Sequence, residues 1–222
     1  MKTLAVALLV AAAMPIACGN ATRSEVRSLP DRFDTVPEGQ SLVVFSRPEE
    51  QEWGSAFMVV NEDGKFVADV PAKSRVHVVV PAGRHTFVGW ESKVMYDYLW
   101  ASRVEMTTAP GLAYLVYVES LANGLQLIAR PERPSKEPCS LEDDALSAQR
   151  IESDRMTAEE NLADEKVKKQ LATSREWFED LGSPRERQTG SPEDGLPVAA
   201  LDPAYRRSHP TTFCVRPQPA AR

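Results

Sequence analysis

The chain has 222 residues, of which 42% are hydrophobic, so it carries enough apolar side chains for a packed core and is not a wholly disordered protein. Its 26 Lys and Arg are outnumbered by 32 Asp and Glu, which gives a net charge of -6. Because binding to a phosphate backbone depends on an excess of cationic side chains, this balance argues against nucleic acid as a partner.

The N-terminus has the pattern of a secretory signal. Lys2 supplies a positive charge, an unbroken apolar run covers residues 4–13, and Arg23 and Glu25 follow soon afterwards. A helix that spans a bilayer needs about 20 apolar residues, and this run is shorter. The sequence therefore predicts a signal peptide over residues 1–17 rather than a permanent transmembrane helix.

The end of this segment, with the sequence Ile-Ala-Cys-Gly-Asn at 16–20, resembles the cleavage region of bacterial lipoprotein signals. The resemblance implies that Cys18 is the first mature residue and carries acyl chains such as palmitate. Each buried methylene contributes about 0.8 kcal/mol, so two or more chains hold a protein at a membrane firmly. Gly19 is not the Asp that marks inner-membrane retention in some lipoproteins, which favours the outer membrane of the cell envelope.

Cleavage by an ordinary signal peptidase nearby, for example after Ala21, is the alternative. It would give an unlipidated periplasmic or secreted protein with the same downstream fold.

Acylation of Cys18 leaves two further cysteines, Cys139 and Cys214. In an oxidising compartment such a pair can form a disulfide bond. The bond would close a loop of about 75 residues and contribute on the order of 4 kcal/mol in the chain-entropy account. Two free thiols are the alternative. Cysteines this far apart, with three scattered histidines, lack the spacing of a metal site, so we predict no metal and no other cofactor.

Residues 18–39 are polar, include Pro30 and Pro37, and have no sustained apolar period, so they are predicted to be a tether. Residues 40–131 change to short β-like runs divided by turn residues. These runs are 42–46, 56–60, 66–70, 75–80, 84–88, 99–107, 114–118 and 125–129. About eight short strands at this spacing predict a mainly β domain, a small antiparallel β-sandwich.

Two connections carry specific turn residues. The loop 61–65 contains Gly64, which can adopt the positive φ of a hairpin. Pro81, Ala82 and Gly83 are predicted to form a tight hairpin between the fourth and fifth strands. That pairing would place His77 and His85 on opposite faces, where they cannot share a ligand, and would leave His85 to bond a backbone carbonyl.

The same turn carries a second resemblance. A Pro-x-Gly-x-His turn, here from Pro81 to His85, and a later Gly-x-x-Tyr-x-Val segment at 111–116 resemble a domain of unknown function common in bacterial lipoproteins. Residues 41–48, 54–57 and 63–65 are similar to it as well. The turn is also similar to those of PEGA-type envelope domains. Both resemblances imply a small β-sandwich, and the second implies a binding or structural role.

Residues 139–182 are predicted to be a helical extension. Ser140 with Asp143, and Thr157 with Glu160, have the spacing of N-terminal caps. One apolar stripe at spacings of three and four consists of Ala163, Val167, Leu171, Ser174, Phe178 and Leu181. Such a stripe must be buried, and the nearest partner is a face or edge of the sheet. Residues 183–222 are predicted to be an extended Pro-rich tail, ordered mainly where Cys214 holds it.

The sequence contains no recognisable catalytic motif. There is no Gly-x-Ser-x-Gly elbow, no His-Glu-x-x-His and no phosphate loop. The acids at 142–144 and 159–160 lie where the first turn of a helix favours negative charge, which explains them better than a glycosidase pair does. We therefore predict a protein that is not an enzyme.

Four aromatic residues are candidates for ligand binding. Tyr96, Tyr98 and Trp100 alternate, so on a strand they would share one face, and Trp90 lies shortly upstream. Flat rings can hold a sugar face or a partner side chain. The alternative is that these aromatics fill the core or receive a packing helix.

These features together predict a bacterial envelope lipoprotein, anchored in the membrane through its N-terminal lipid, with a binding or structural role. Its partner would be an envelope protein or a polysaccharide. The alternatives are a soluble exported interaction domain of the same fold and an envelope enzyme that acts on polysaccharide.

Overall fold

A computed structural model describes residues 35–48, 57–91, 101–121, 124–129, 145–151, 165–179 and 185–208. Its strands are β1 (Gln40–Arg47), β2 (Phe57–Asn61), β3 (Phe66–Val70), β4 (Ser74–Pro81), β5 (Gly83–Glu91), β6 (Ser102–Thr108), β7 (Leu112–Leu121), β8 (Gly124–Ile128), β9 (Gln149–Ile151), β10 (Thr189–Gly190) and β11 (Leu196–Pro197). Its helices are α1 (Glu165–Glu179), α2 (Pro203–Ser208) and the short 3₁₀ helices Pro192–Asp194 and Val198–Leu201.

The strands form two sheets. The first sheet has the order β11-β7-β1-β4-β9, with β8 also paired to β7, and the second has the order β10-β6-β5-β2-β3. Neighbours are antiparallel except β1 with β7, β4 with β9 and β6 with β10. The predicted mainly β sandwich with a helix on its C-terminal side is confirmed.

The main core lies between the two sheets, where alternate side chains of each strand point inward. Phe45 of the first sheet meets Phe87 of the second edge to face, with ring centroids 5.2 Å apart. Both rings are almost completely buried, in a cluster that includes Val104 and Met106 of β6 and Val116 of β7. This inter-sheet layer is the reason why the alternating runs of the sequence become strands.

The eight predicted runs correspond to β1 through β8. The predicted turn at 61–65 is confirmed as well: the Asn61 N–H donates to the Lys65 carbonyl at 2.9 Å, and Asn61 Oδ1 accepts the Lys65 N–H at 2.8 Å. Gly64 has φ 76°, in the left-handed region that glycine adopts without a steric penalty.

The predicted hairpin between β4 and β5 is wrong. β4 pairs with β1, so that Val80 lies opposite Ser41, whereas β5 pairs with β2 and β6, so that His85 lies opposite Met106. The connection through Gly83 is therefore a corner between the two sheets. A short turn specifies a change of direction, but the choice of neighbouring strand depends on contacts with distant parts of the chain.

Part of the region predicted to be helical is a strand instead. β9 pairs in parallel with β4, and Ile151 is buried in the core between the sheets. Ser46 Oγ donates to the Ala145 carbonyl at 2.6 Å, and Arg75 Nη1 donates to the carbonyls of Leu146 and Ala148. Residues 145–147 are helical, as the sequence predicts, and these long-range bonds hold that turn and Ala148, just before β9, against the first sheet.

Two parts of the chain cover the outer faces of the sandwich. The helix α1 packs on the outer face of the second sheet, where Val167 and Leu171 contact a cluster around Trp90, as the stripe predicted. Residues 185–208, here called the closing segment, cover the outer face of the first sheet through Leu196, Ala200 and Leu201. The sequence predicts an extended, irregular segment here, whereas the structure contains buried side chains, short strands and helical turns.

Candidate functional site

Most of the residues singled out in the sequence lie outside the described residues. They are Cys18, Tyr96, Tyr98, Trp100, Cys139 and Cys214. The lipidation, the disulfide and the aromatic stripe therefore stay predictions.

Trp90 is buried. It is 4% exposed, on the outer face of the second sheet, and it packs with Met58, Val88 and Val167 beneath α1. A ring in this position contributes to packing and does not offer its face to a sugar. Trp90 is therefore a packing residue and not a ligand-binding one.

The histidines are separated by the fold. His77 lies on β4 and His85 on β5, which belong to different sheets. His85 Nε2 lies 2.7 Å from the Pro81 carbonyl oxygen, which confirms the predicted backbone hydrogen bond. The described residues contain no group of three or more His, Cys, Asp or Glu arranged to hold a metal ion.

A groove of about 420 Å³ lies between α1 and the second sheet. Glu62 lines it from the β2–β3 loop and Arg103 from β6. The remaining lining residues belong to α1: Leu171, Ala172, Arg175, Glu176 and Glu179. The groove therefore combines carboxylates, guanidinium groups and a small apolar surface.

Alternation along β6 places Arg103 at this groove. Val104 and Met106 point into the core between the sheets, so Arg103 and Glu105 point to the opposite face. The β2–β3 loop also lies close to α1: a Cβ atom added to Gly64 would lie 3.2 Å from Leu171 Cδ1. Three distant segments of the sequence thus meet at one groove.

Arg103 is held in a fixed orientation. Its Nε and Nη2 atoms each lie 2.9 Å from Glu105 Oε1, and its guanidinium lies 5.8 Å from the centroid of the Phe178 ring. Arg103 is 8% exposed. A carboxylate at one edge and an aromatic face beside it restrict the side chain before any ligand arrives.

Glu105 also holds a second cation. Arg84 Nη2 lies 3.2 Å from Glu105 Oε2, and the Arg84 side chain is 77% exposed. One carboxylate therefore contacts two guanidinium groups, and of these two Arg103 lines the groove whereas Arg84 does not.

The wall formed by α1 is fixed at its C-terminal end by Arg185. The last turn of α1 contains no basic residue, and Arg185 donates to the carbonyls of Phe178 and Glu179 from beyond the helix. Its guanidinium also lies 5.6 Å from the Phe178 ring centroid. A cation at this end is favourable because helix carbonyls concentrate negative charge there.

A second buried cation lies away from the groove. Arg47, at the end of β1, is 1% exposed, and burial lowers its pKa while the negative charges of Glu91 and Asp69 oppose that effect. Because those carboxylates belong to β5 and β3 of the second sheet, this charge cluster links the two sheets and is best explained as structural.

The local sequence does not predict the residues of the groove. The one signal available was the pattern Arg103-Val104-Glu105-Met106, in which two opposite charges alternate with two apolar residues and so share a face of a strand. No pattern in the local sequence indicates that α1 and the β2–β3 loop lie against that face.

The described residues form a β-sandwich with both outer faces covered and a charged groove beside α1. None of the described helices is both long and apolar enough to span a membrane. A scan against models of protein families finds no match to this chain, and neither does a search of curated proteins.

Proposed function

We propose that this chain is a bacterial envelope lipoprotein, anchored through acylated Cys18, whose β-sandwich has a binding or structural role. Residues 18–39 form the tether. As a flexible coil of about 20 residues this tether spans roughly 25 Å, which leaves the sandwich clear of the membrane surface.

The observation that carries this proposal is the Ile-Ala-Cys-Gly-Asn sequence at 16–20 after an apolar run. The sandwich itself has both outer faces covered. α1 and the closing segment bury the apolar residues on both outer faces. Within the described ranges, Val79, at 41% exposure, is the large hydrophobic side chain left exposed. In the proposed arrangement the membrane affinity comes from the lipid on Cys18.

The groove beside α1 supports a binding role. Ligand sites are usually concave and contain a few polar groups that fix the orientation of the ligand. Here Arg103 is fixed by Glu105 and Phe178, and Arg185 fixes the adjoining end of the helix. These restraints reduce the conformational entropy that binding would otherwise cost.

Lipidation is tested by growth of the native host with an alkyne-bearing palmitate analogue, followed by intact-mass measurement with and without reduction. We expect a labelled mature chain that begins at Cys18, and loss of the label in Cys18→Ser. The matched control Cys139→Ser keeps the label. A rise in mass by two hydrogens on reduction would identify the Cys139–Cys214 bond.

An unlabelled mature chain that begins after Cys18 would contradict the lipid anchor. The soluble exported interaction domain would then be the better description of the protein.

A further inference from the structure

We infer that the groove beside α1 binds a small zwitterionic ligand, of the class of a short peptide with free amino and carboxyl ends. This inference rests on the proposed binding role and names the ligand class for that site. Arg103 and Arg175 would bind the carboxylate, and the glutamates of the groove would bind the ammonium group.

The first support is the geometry of the Arg103 guanidinium. A guanidinium has five N–H donors, and in the described part of the chain Arg103 directs Nε and Nη2 to Glu105. Its Nη1 atom has no described partner, and the residue lines the groove. A planar guanidinium already held by a carboxylate and a ring is suited to a second carboxylate, because little rotamer freedom remains to be lost.

The second support is the distribution of opposite charge. Glu62 reaches the groove from the β2–β3 loop, whereas Glu176 and Glu179 reach it from α1. No ion pair is described for these three carboxylates within the ranges given above. A purely anionic ligand would be repelled by them, and a purely cationic ligand by Arg103 and Arg175, so a ligand with both charges is favoured.

The third support is size. A volume of about 420 Å³ lies within the range of small-molecule sites, which is roughly 300 to 1,000 Å³. Leu171 and Ala172 add a small apolar surface to the lining. The groove thus fits a few residues with short aliphatic side chains rather than an extended protein surface.

The test uses the full-length mature protein in detergent micelles and isothermal titration with three probes: tri-alanine with free ends, its N-acetyl form and its C-amide form. We expect tri-alanine to bind, and each blocked form to bind at least tenfold more weakly. Arg103→Gln should abolish binding of tri-alanine. The matched control Arg84→Gln removes an exposed arginine from the same Glu105 and should change the affinity less than twofold.

Because Arg103 is buried, two exposed positions provide a test that does not depend on the stability of that variant. Arg175→Gln should weaken tri-alanine binding at least threefold. Glu176→Gln should do the same and should reduce the difference between the free and N-acetylated peptides.

Equal affinity for free and blocked peptides, no binding of tri-alanine at millimolar concentration, or unchanged binding in the Arg175→Gln/Glu176→Gln double variant would each overturn the inference. The lipid label reports on the other proposal independently. If the chain is labelled but does not bind tri-alanine, only the ligand inference is overturned. If it binds tri-alanine but is not labelled, only the proposed lipid anchor is overturned.

Discussion

The two sheets of the sandwich are covered in different ways. The second sheet is covered by α1, a regular helix whose stripe contributes Val167 and Leu171 to one apolar cluster. The first sheet is covered by the closing segment, which alternates two-residue strands with 3₁₀ turns and contributes Leu196, Ala200 and Leu201. Both coverings bury apolar surface, but only the helical one has a sequence period.

The closing segment compensates for its irregular backbone by bonding to both sheets. The Ala129 N–H donates to the Arg187 carbonyl at 2.8 Å, and the Glu105 N–H donates to the Gln188 carbonyl at 3.0 Å. The Gln188 side chain is fully buried and donates to Ser102 Oγ at 2.9 Å. A helix satisfies its backbone internally, whereas an irregular covering needs partners in the surface it covers.

A second anchor holds the closing segment to β7. Tyr114 Oη accepts the Ala109 N–H at 2.7 Å and donates to the Pro192 carbonyl at 3.3 Å. The chain passes so close at Gly195 that an added Cβ would lie 2.8 Å from Tyr114 Oη. The segment is therefore an integral part of the fold.

Truncation of a buried side chain in the closing segment tests that conclusion. Leu201→Ala removes a side chain that is 2% exposed, and we expect it to lower the free energy of unfolding by about 2 to 4 kcal/mol, the usual cost of a large cavity in a core. Chemical denaturation of the full chain measures it. Ala199→Ser, at an exposed neighbour, is the control and should stay within about 0.5 kcal/mol. If Leu201→Ala lowered the free energy of unfolding no more than Ala199→Ser does, the closing segment would be only loosely attached to the first sheet.

The helical covering should be less sensitive to a single truncation. Val167→Ala removes two methyl groups from a residue that is 5% exposed, so we expect a loss of about 1 to 2 kcal/mol in the same assay. Lys169→Ala on the exposed face of α1 is the control, with a change below about 0.5 kcal/mol. If Val167→Ala lowered the free energy of unfolding more than Leu201→Ala does, the helical covering would be the more sensitive of the two to truncation.

The smallest effect concerns the anchor at β7. Tyr114→Phe removes the hydroxyl but keeps the ring, and we expect a loss of about 1 kcal/mol at neutral pH because the two hydrogen bonds are lost. An unchanged free energy of unfolding would show that water replaces these bonds without cost.

The same hydroxyl predicts a pH dependence. Burial raises the Tyr114 pKa above its usual value of 10.0, although the bond from the Ala109 N–H acts in the opposite direction. The folded protein then keeps this proton at a pH where the unfolded chain loses it. The stabilisation is fully present below about pH 10 and is lost as the pH rises through the folded pKa.

We therefore expect the wild-type protein to lose more stability between pH 8 and pH 10.5 than Tyr114→Phe does. The other four of the five tyrosines are common to both proteins and cancel in the comparison. Parallel losses in the two proteins would contradict the role assigned to Tyr114.

The groove depends on contacts that the local sequence does not encode. The alternation of Arg103 and Glu105 with apolar residues could place the two charges on one face of β6. Nothing local indicated that Phe178, 75 positions later, would lie beside that guanidinium, or that Arg185 would close the end of α1. These contacts arise only when the helix docks on the second sheet.

Local sequence patterns predict strands β1 to β8 from apolar runs between turn residues, the turn at Gly64, and α1 from its stripe. They do not predict which elements are neighbours: β4 and β5 lie in different sheets, β9 is a strand, and the closing segment covers the first sheet. Periodicity and turn residues act within a few positions of the chain. Strand partners and buried polar bonds are instead chosen by the free energy of contacts between residues far apart in sequence.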